Sequence, residues 1–171
     1  MLVRTATHAD RERVTTVHEA AVRAVPPDAY DRHHLDSWDH GRDPEAYPLD
    51  DPDRTVLVAE REGTVVGFGQ AHHGRAEVEA CYVHPDHAGR GVGSALLAGL
   101  EGRLAGTGAE AVDLVASLNA VGFYEGAGYD RVEATTVEGR DGVELPCVRM
   151  EKQLRPVDAG DAARGWGRLP V

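Results

Sequence analysis

Lysine, cysteine and long apolar runs are scarce in this 171-residue chain. Lys152 is the only lysine, and acidic residues outnumber basic ones enough to give a net charge of -11 at pH 7. A surface this negative repels nucleic acid and anionic lipid, so we expect neither as a partner, whereas it attracts cationic substrates such as amines. Because the acidic residues are spread over the whole length, the composition favours a more general explanation, a halophile-like acidic proteome adapted to a high-salt cytoplasm.

The chain contains two cysteines, Cys81 and Cys147. With no secretory leader in front of them, they are expected to be reduced thiols of a cytoplasmic protein. No apolar run approaches the ~20 residues of a membrane span. Three histidine pairs, at 33/34, 72/73 and 84/87, lack the spacing of known metal motifs, so we predict surface histidines and no metal site.

The spacing of apolar and turn residues predicts one domain over residues 1–154, with the element order βααβββαβαββ. Strands are expected at 2–6, 55–60, 64–71, 76–83, 111–118, 129–138 and 143–154. Helices are expected between Thr7 and Pro26 and at 28–40, 91–104 and 119–127. This order is typical of a mixed α/β or α+β domain. Residues 155–171 are rich in Gly, Ala and Pro and are predicted to form a loosely packed tail.

The most informative segment is residues 82–97, YVHPDHAGRGVGSALL. A buried strand ends at Pro85, and a glycine-rich turn then opens directly into an amphipathic helix. Gly89, Gly91 and Gly93 let the backbone curl and expose successive N–H groups, and the first helical turn adds its own N–H groups and positive dipole end. Together they form a cradle for phosphate oxygens, with positive charge from Arg90 at the rim. The alternative is a turn that merely links strand and helix.

Two other nucleotide-binding motifs do not fit this turn. A P-loop needs a lysine followed by Ser or Thr after its last glycine, whereas Gly93 is followed by Ser94 and Ala95. The dinucleotide fingerprint, G-x-G-x-x-G, needs a third glycine after two intervening residues beyond Gly93, but Ala95 and Leu96 follow Ser94.

The turn and a second segment resemble the GNAT superfamily of N-acetyltransferases. The family's pyrophosphate-binding motif is Gln/Arg-x-x-Gly-x-Gly/Ala after a strand ending in Val-x-Pro. Gly91 and Gly93 match its last two defined positions, and Ala88 stands where Gln or Arg is usual. Residues 119–129, NAVGFYEGAGY, are similar to the family signature Asn-x-x-Ala-x-x-Phe-Tyr-x-x-x-Gly-Phe, with Gly122 in place of the usual alanine just before Phe123-Tyr124, and Tyr129 in place of the final Phe. The resemblance implies a mostly antiparallel central sheet flanked by helices, with acyl-CoA bound in a gap between two splayed strands.

The resemblance also implies direct transfer of an acetyl group from acetyl-CoA, as cosubstrate, to a primary amine. Tyr124 matches the family tyrosine that donates a proton to the leaving thiolate; a packed aromatic with a structural hydroxyl is the alternative. Asn119 matches a position that hydrogen-bonds CoA, and it also suits a helix N-cap. The residues expected at the cosubstrate site are Cys81, Tyr82, Val83, Ala88, Gly89, Arg90, Gly91, Val92, Gly93, Ser94, Asn119 and Tyr124.

The general base is expected on the strand at 76–83. Period-2 alternation places Glu77, Glu79, Cys81 and Val83 on one face, and Glu79 is the candidate base, ahead of Glu77 or a water. An ion pair with an arginine is the alternative for Glu79. Cys81 is interpreted as a small apolar residue rather than an acylated nucleophile, because the sequence shows no His–Asp arrangement to activate it.

Two other functions remain open at this stage. One is a CoA-binding sensor or regulatory module that has lost catalysis, and the other is a structural domain without a CoA site. Residues 28–38 are expected to line the acceptor pocket, but they do not distinguish small amines, amino acids, aminoglycoside-like compounds and protein N-termini. The acyl-chain preference is equally open. Dimerisation through the last strands and the tail is plausible, although no residue pattern demonstrates it.

Overall fold

The structure is a computed structural model, and it describes residues 1–38 and 43–154. The strands are β1 (Leu2–Thr5), β2 (Arg54–Arg61), β3 (Thr64–His72), β4 (Glu77–Val83), β5 (Ala111–Ser117), β6 (Asp130–Glu138) and β7 (Glu144–Gln153). The helices are α1 (Arg11–Arg23), α2 (Arg32–Trp38), α3 (Val92–Gly106) and α4 (Val121–Gly126). The predicted element order is confirmed. The predicted tail at 155–171 and residues 39–42 lie outside the described residues.

All seven of these strands form one sheet in the order β1-β2-β3-β4-β5-β7-β6. Neighbouring strands are antiparallel except β4 and β5, which are parallel. A parallel pair needs a long crossover connection, and α3 provides it. The predicted fold class, a mostly antiparallel mixed sheet with helices against it, is therefore confirmed.

Helix α3 covers one face of the sheet with a buried stripe formed by Val92, Leu96, Leu97, Leu100 and Leu104. Glycines in β3 let this helix approach closely, since a Cβ at Gly69 would lie 2.7 Å from Leu100 Cδ1. The opposite face is covered by α1, whose Val14 and Val17 pack against Val58 and Phe68. The sheet thus separates two apolar cores.

Thr7 and Asp10 fix the start of α1. The Thr7 N–H donates to Asp10 Oδ2 at 2.7 Å, and a short 3₁₀ turn at residues 8–10 leads into the helix. Helix α2 begins at Arg32, four residues later than the predicted start at residue 28. Asp31 Oδ1 accepts a hydrogen bond from the His34 N–H at 2.9 Å and so caps a helix that begins after it. The segment before it is a turn instead of a helical turn of α2, with the Ala29 N–H donating to Pro26 O at 3.1 Å.

Strand β4 contains a bulge at Glu79, where its pairing register with β3 shifts by one residue. Val78, Cys81 and Val83 consequently pack on the core beneath α3, whereas Tyr82 packs on the α1 side. The predicted common face for Glu79, Cys81 and Val83 is wrong, because the extra residue of the bulge reverses the alternation of side chains.

Within residues 1–38 and 43–154, no helix is long and apolar enough to cross a membrane.

Candidate active site

The sheet opens between β4 and β5. The two strands pair only at Glu77 opposite Asp113 and at Val78 opposite Leu114. Beyond Val78 the edge of β4 that faces β5 has no strand partner in the described part of the chain. A cleft of about 1510 Å³ occupies this opening and reaches both faces of the sheet. A ligand can therefore hydrogen-bond to β4 as a neighbouring strand would.

The glycine-rich turn borders the cleft on the α3 face. Gly89 and Gly91 have φ values of +70° and +79°, a conformation that a side chain would strain, and a Cβ on either would project into open space. The first bond of α3 runs from the Ala95 N–H to Gly91 O at 3.1 Å. Among the described residues, the N–H groups of residues 89–94 have no acceptor, so a run of main-chain donors is available to an anion. The Ala88 N–H is engaged by Pro85 O at 3.2 Å.

The structure brings the predicted site residues together, with one exception. Glu79 and all of the predicted cosubstrate residues except Arg90 line the cleft. The Arg90 side chain lies instead beside a separate cavity of about 330 Å³, which Arg61 and Glu62 also line. The anion cradle therefore consists of backbone N–H groups and a helix N-terminus, without the arginine charge that the sequence suggested at its rim.

Tyr124 lies on α4 with only 7% of its surface exposed, and it lines the cleft. Its ring packs edge-on against Phe123 and Tyr129, at centroid distances of 5.0 and 5.7 Å. Burial, with the nearby Cys81 thiol second, raises the pKa of Tyr124 well above its usual value, so the hydroxyl keeps its proton. In the described part of the chain this hydroxyl has no hydrogen-bond partner. It is therefore a proton donor available to a ligand.

Asn119 lies in a 3₁₀ turn at residues 118–120, between β5 and α4, and it is exposed at the cleft. The residue at the N-cap of the turn is Ser117, and the one at the N-cap of α4 is Ala120. Asn119 makes no capping bond, and within the described residues its amide has no partner. The N-cap alternative for Asn119 is therefore wrong, and its amide is available to a ligand.

Glu79 lies on the α1 face and is held by three neighbouring side chains. Arg54 Nε donates to Glu79 Oε2 at 3.0 Å, Gln70 Nε2 donates to the same oxygen, and Arg75 pairs with Oε1. Burial raises the pKa of Glu79, but the hydrogen bonds from Arg54 and Gln70 outweigh it, and the net pKa is lowered. Glu77 also lines the cleft and pairs with Arg75 at 2.9 Å. Both candidate bases are thus engaged with arginine.

Cys81 points toward α3, with its Sγ 3.8 Å from Gly93 O. Burial raises the pKa of this thiol to about 12, so it stays protonated and is a poor nucleophile. This environment accords with a small apolar role. Among the described residues, no group of three or more His, Cys, Asp or Glu side chains is arranged to hold a metal ion.

The sequence did not indicate the role of Tyr30 in the site. Its hydroxyl donates to Pro146 O at 2.6 Å and accepts the Leu118 N–H at 2.9 Å. Tyr30 thereby ties the segment before α2 to the end of β5, next to Asn119. Partners 88 and 116 residues away along the chain leave no local signal in the sequence.

Three features together define an acyltransferase fold with a cleft through the sheet. They are the splayed parallel pair of β4 and β5, the glycine-rich turn before α3 and the buried Tyr124 on α4. Residues 16–129 match the model of the acetyltransferase (GNAT) family. The chain therefore belongs to the GNAT family of acetyltransferases.

Relatives and solved structures agree with this assignment. An acetyltransferase of Pectobacterium atrosepticum is 35% identical over 95 residues, which cover 53% of this chain and 67% of that protein. A GCN5-related N-acetyltransferase from Rhodopseudomonas palustris superposes with a TM-score of 0.82 and 27% identity, covering 90% of this chain and 95% of that one. A putative acetyltransferase from Salmonella typhimurium, solved with acetyl-CoA, gives a TM-score of 0.66 and 27% identity over 94% of this chain and 98% of that one.

Proposed function

We propose that the chain is an N-acetyltransferase that moves an acetyl group from acetyl-CoA to a primary amine by direct transfer. The observation that carries this proposal is the cleft between β4 and β5, which has the unengaged N–H groups of residues 89–94 at one end and the Tyr124 hydroxyl at its wall. The acetyl-CoA complex of the Salmonella relative supports the choice of donor.

The residues present fit acetyl-CoA on the α3 face. The N–H groups of residues 89–94 and the N-terminus of α3 suit the diphosphate, because both present positive partial charge to an anion. Gly89 and Gly91 leave the space that a Cβ would fill. The unpaired edge of β4, from Cys81 to Val83, suits the amides of the pantetheine arm, and Asn119 offers a further hydrogen bond. The thioester then lies at the opening between the strands.

The amine approaches from the face covered by α1 and α2. After it loses a proton, its nitrogen attacks the thioester carbonyl, a C–N bond forms and the C–S bond breaks. Tyr124 donates its proton to the departing sulfur. A backbone N–H between Cys81 and Val83 stabilises the developing oxyanion. After the C–N bond has formed, the nitrogen loses a second proton, which restores the Tyr124 hydroxyl. The reaction as a whole therefore releases one proton to solvent.

We assign Glu79 the role of general base acting through water. Its low pKa and its bonds to Arg54 and Gln70 make it a weak direct acceptor, whereas an ionised carboxylate on the α1 face orients a water well. The water carries the proton away from the ammonium, and the carboxylate attracts the cationic amine toward the opening.

A second candidate is a CoA-binding sensor without turnover. The engagement of Glu79 by two arginines favours it, because this arrangement leaves no strong proton acceptor at the opening. Thiol release from acetyl-CoA with a panel of primary amines separates the two functions. Amine-dependent release is expected; a thermal shift with CoA but no release with any amine would support the sensor. A protein that shows neither response would have no CoA site.

A further inference from the structure

The part of the cleft beneath α1 and α2 has an apolar side, which we call the acceptor wall, formed by Ala21, Val25, Tyr30, Trp38, Leu145 and Cys147. Most of it belongs to one core cluster, in which Val25, Tyr30, Leu145 and Cys147 are buried and Trp38 packs against them. The Tyr30 and Trp38 rings meet edge-on with their centroids 5.4 Å apart. A pre-packed wall of this kind binds an apolar substituent and offers little to a polar one.

Among residues 1–38 and 43–154, lysine and arginine side chains are scarce around this space. Arg54 is the only lysine or arginine among the described residues that line the cleft. Its guanidinium is committed to two carboxylates, since it pairs with both Asp51 and Glu79. An acceptor with a carboxylate beside its amine would therefore bury that charge without a cationic partner, which is costly.

Four carboxylates line the cleft in the described part of the chain, and three of them are engaged, which suits a single ammonium. Asp43 accepts the Glu45 N–H at 2.9 Å. Glu79 and Glu77 are already paired with Arg75. Glu138 is exposed, lines the cleft and makes no ion pair within the described residues. A polycation would need further carboxylates at intervals along the cleft to pair its second and third charges, and the acceptor wall provides none.

We propose that the acceptor is a primary monoamine with an apolar, ring-sized substituent and no carboxylate next to the amine. This inference rests on the proposed N-acetyltransferase function and names its substrate class. The substituent lies against the acceptor wall, and the nitrogen lies at the opening between β4 and β5, near Glu79.

The test compares four acceptors at saturating acetyl-CoA: phenethylamine, phenylalanine, phenylalaninamide and spermidine. Thiol release gives kcat/KM, which is corrected for the fraction of neutral amine. Phenethylamine is expected to exceed phenylalanine by at least about 10-fold, because only the latter carries the unpaired carboxylate. Phenylalaninamide should recover most of this difference, since its carboxyl group is blocked. Spermidine should be the poorer substrate relative to phenethylamine.

A variant of the acceptor wall adds a second readout. Trp38→Ala is expected to raise the KM for phenethylamine by about 10-fold or more, while the KM values for ethylamine and acetyl-CoA stay unchanged. Val25→Ala serves as a second wall variant if Trp38→Ala does not fold, as judged by circular dichroism. Val132→Ala is the matched control, because Val132 is 48% exposed on β6 and lies outside the cleft.

The outcomes separate this inference from the proposed function. Turnover that prefers phenylalanine or spermidine, or wall variants that leave the KM for phenethylamine unchanged, would overturn the substrate class and leave the N-acetyltransferase function standing. A wild-type protein that releases no thiol with any amine would overturn both.

Discussion

Replacing Tyr124 with phenylalanine removes one oxygen from the wall of the cleft. Because the hydroxyl has no hydrogen-bond partner among the described residues, its removal leaves no other donor or acceptor unpaired. The ring keeps its contacts with Phe123 and Tyr129. The free energy of unfolding should therefore change by less than about 1 kcal/mol. Positioned proton donors contribute roughly 10²- to 10⁴-fold to rate, so kcat should fall by that factor, equivalent to about 2.7–5.4 kcal/mol.

The assay compares two thioesters in wild type and variant. With acetyl-CoA, Tyr124→Phe should lose turnover while the Kd for CoA stays within about twofold. With an acetyl thioester of a thiophenol, whose thiolate leaves without a proton, most of the loss should disappear. Tyr129→Phe is the matched control, because its hydroxyl donates to Glu101 at 3.0 Å and it does not line the cleft. An unchanged kcat with acetyl-CoA, or an equal loss with both thioesters, would refute proton donation by Tyr124.

Three further perturbations address the cradle, the base and the tie to β5. Gly91→Glu places bulk and negative charge among the donors and should weaken CoA binding by at least ~100-fold in calorimetry, whereas Gly91→Ala, which shares the backbone strain, should weaken it less. Burial raises the pKa of Glu79 and hydrogen bonds lower it by more, so its pKa in the folded state lies below that in the unfolded state. The ionised carboxylate therefore stabilises the fold above the unfolded-state pKa, and this stabilisation is lost as the pH falls through the folded-state pKa. The acidic limb of the pH–kcat/KM profile should therefore lie below the usual pKa of a glutamate and disappear in Glu79→Gln; a limb near neutrality would assign the base elsewhere. Tyr30→Phe leaves the Leu118 N–H and the Pro146 carbonyl unpaired and should cost about 2 kcal/mol in urea unfolding, and an unchanged midpoint would show that water replaces the hydroxyl.

Much of the fold was predictable because its signals are local. Alternating and helical apolar spacing gave the element order, and Pro85 and the glycines at 89, 91 and 93 marked the turn that opens into α3. The segment that includes Asn119 and Tyr124 was located by its resemblance to a family signature, not by physical reasoning about its residues. Cys81, Val83 and Glu79 were correctly expected near the turn, and they do line the same cleft.

The parts that failed depend on contacts between distant residues. Strict alternation along β4 misplaced Glu79 because a bulge is decided by pairing with β3, and the sequence of β4 alone does not specify it. An ion pair with an arginine was the alternative offered for Glu79, and the structure shows it. Its partner, Arg54, is 25 residues away along the chain, so the sequence did not identify it. The charge of Arg90 was assigned to the cleft from proximity in sequence, although its side chain extends to another cavity.

Cytoplasmic location, homodimer formation, adaptation to high salt and a loosely packed tail at 155–171 stay predictions. The roles of the individual site residues likewise await the variants above.

The two registered pairs between β4 and β5 leave the sheet nearly divided into a four-stranded and a three-stranded part. An extended molecule that bridges the opening would act as an inserted strand and add contacts between the two parts, which already share the core beneath α3. Amide hydrogens of β5 and β7 should then exchange with solvent more slowly when the opening is filled, even where they are far from the ligand. The concentration of such a ligand therefore sets the free energy of unfolding, which rises by about 2.7 kcal/mol when the ligand is present at 100 times its Kd.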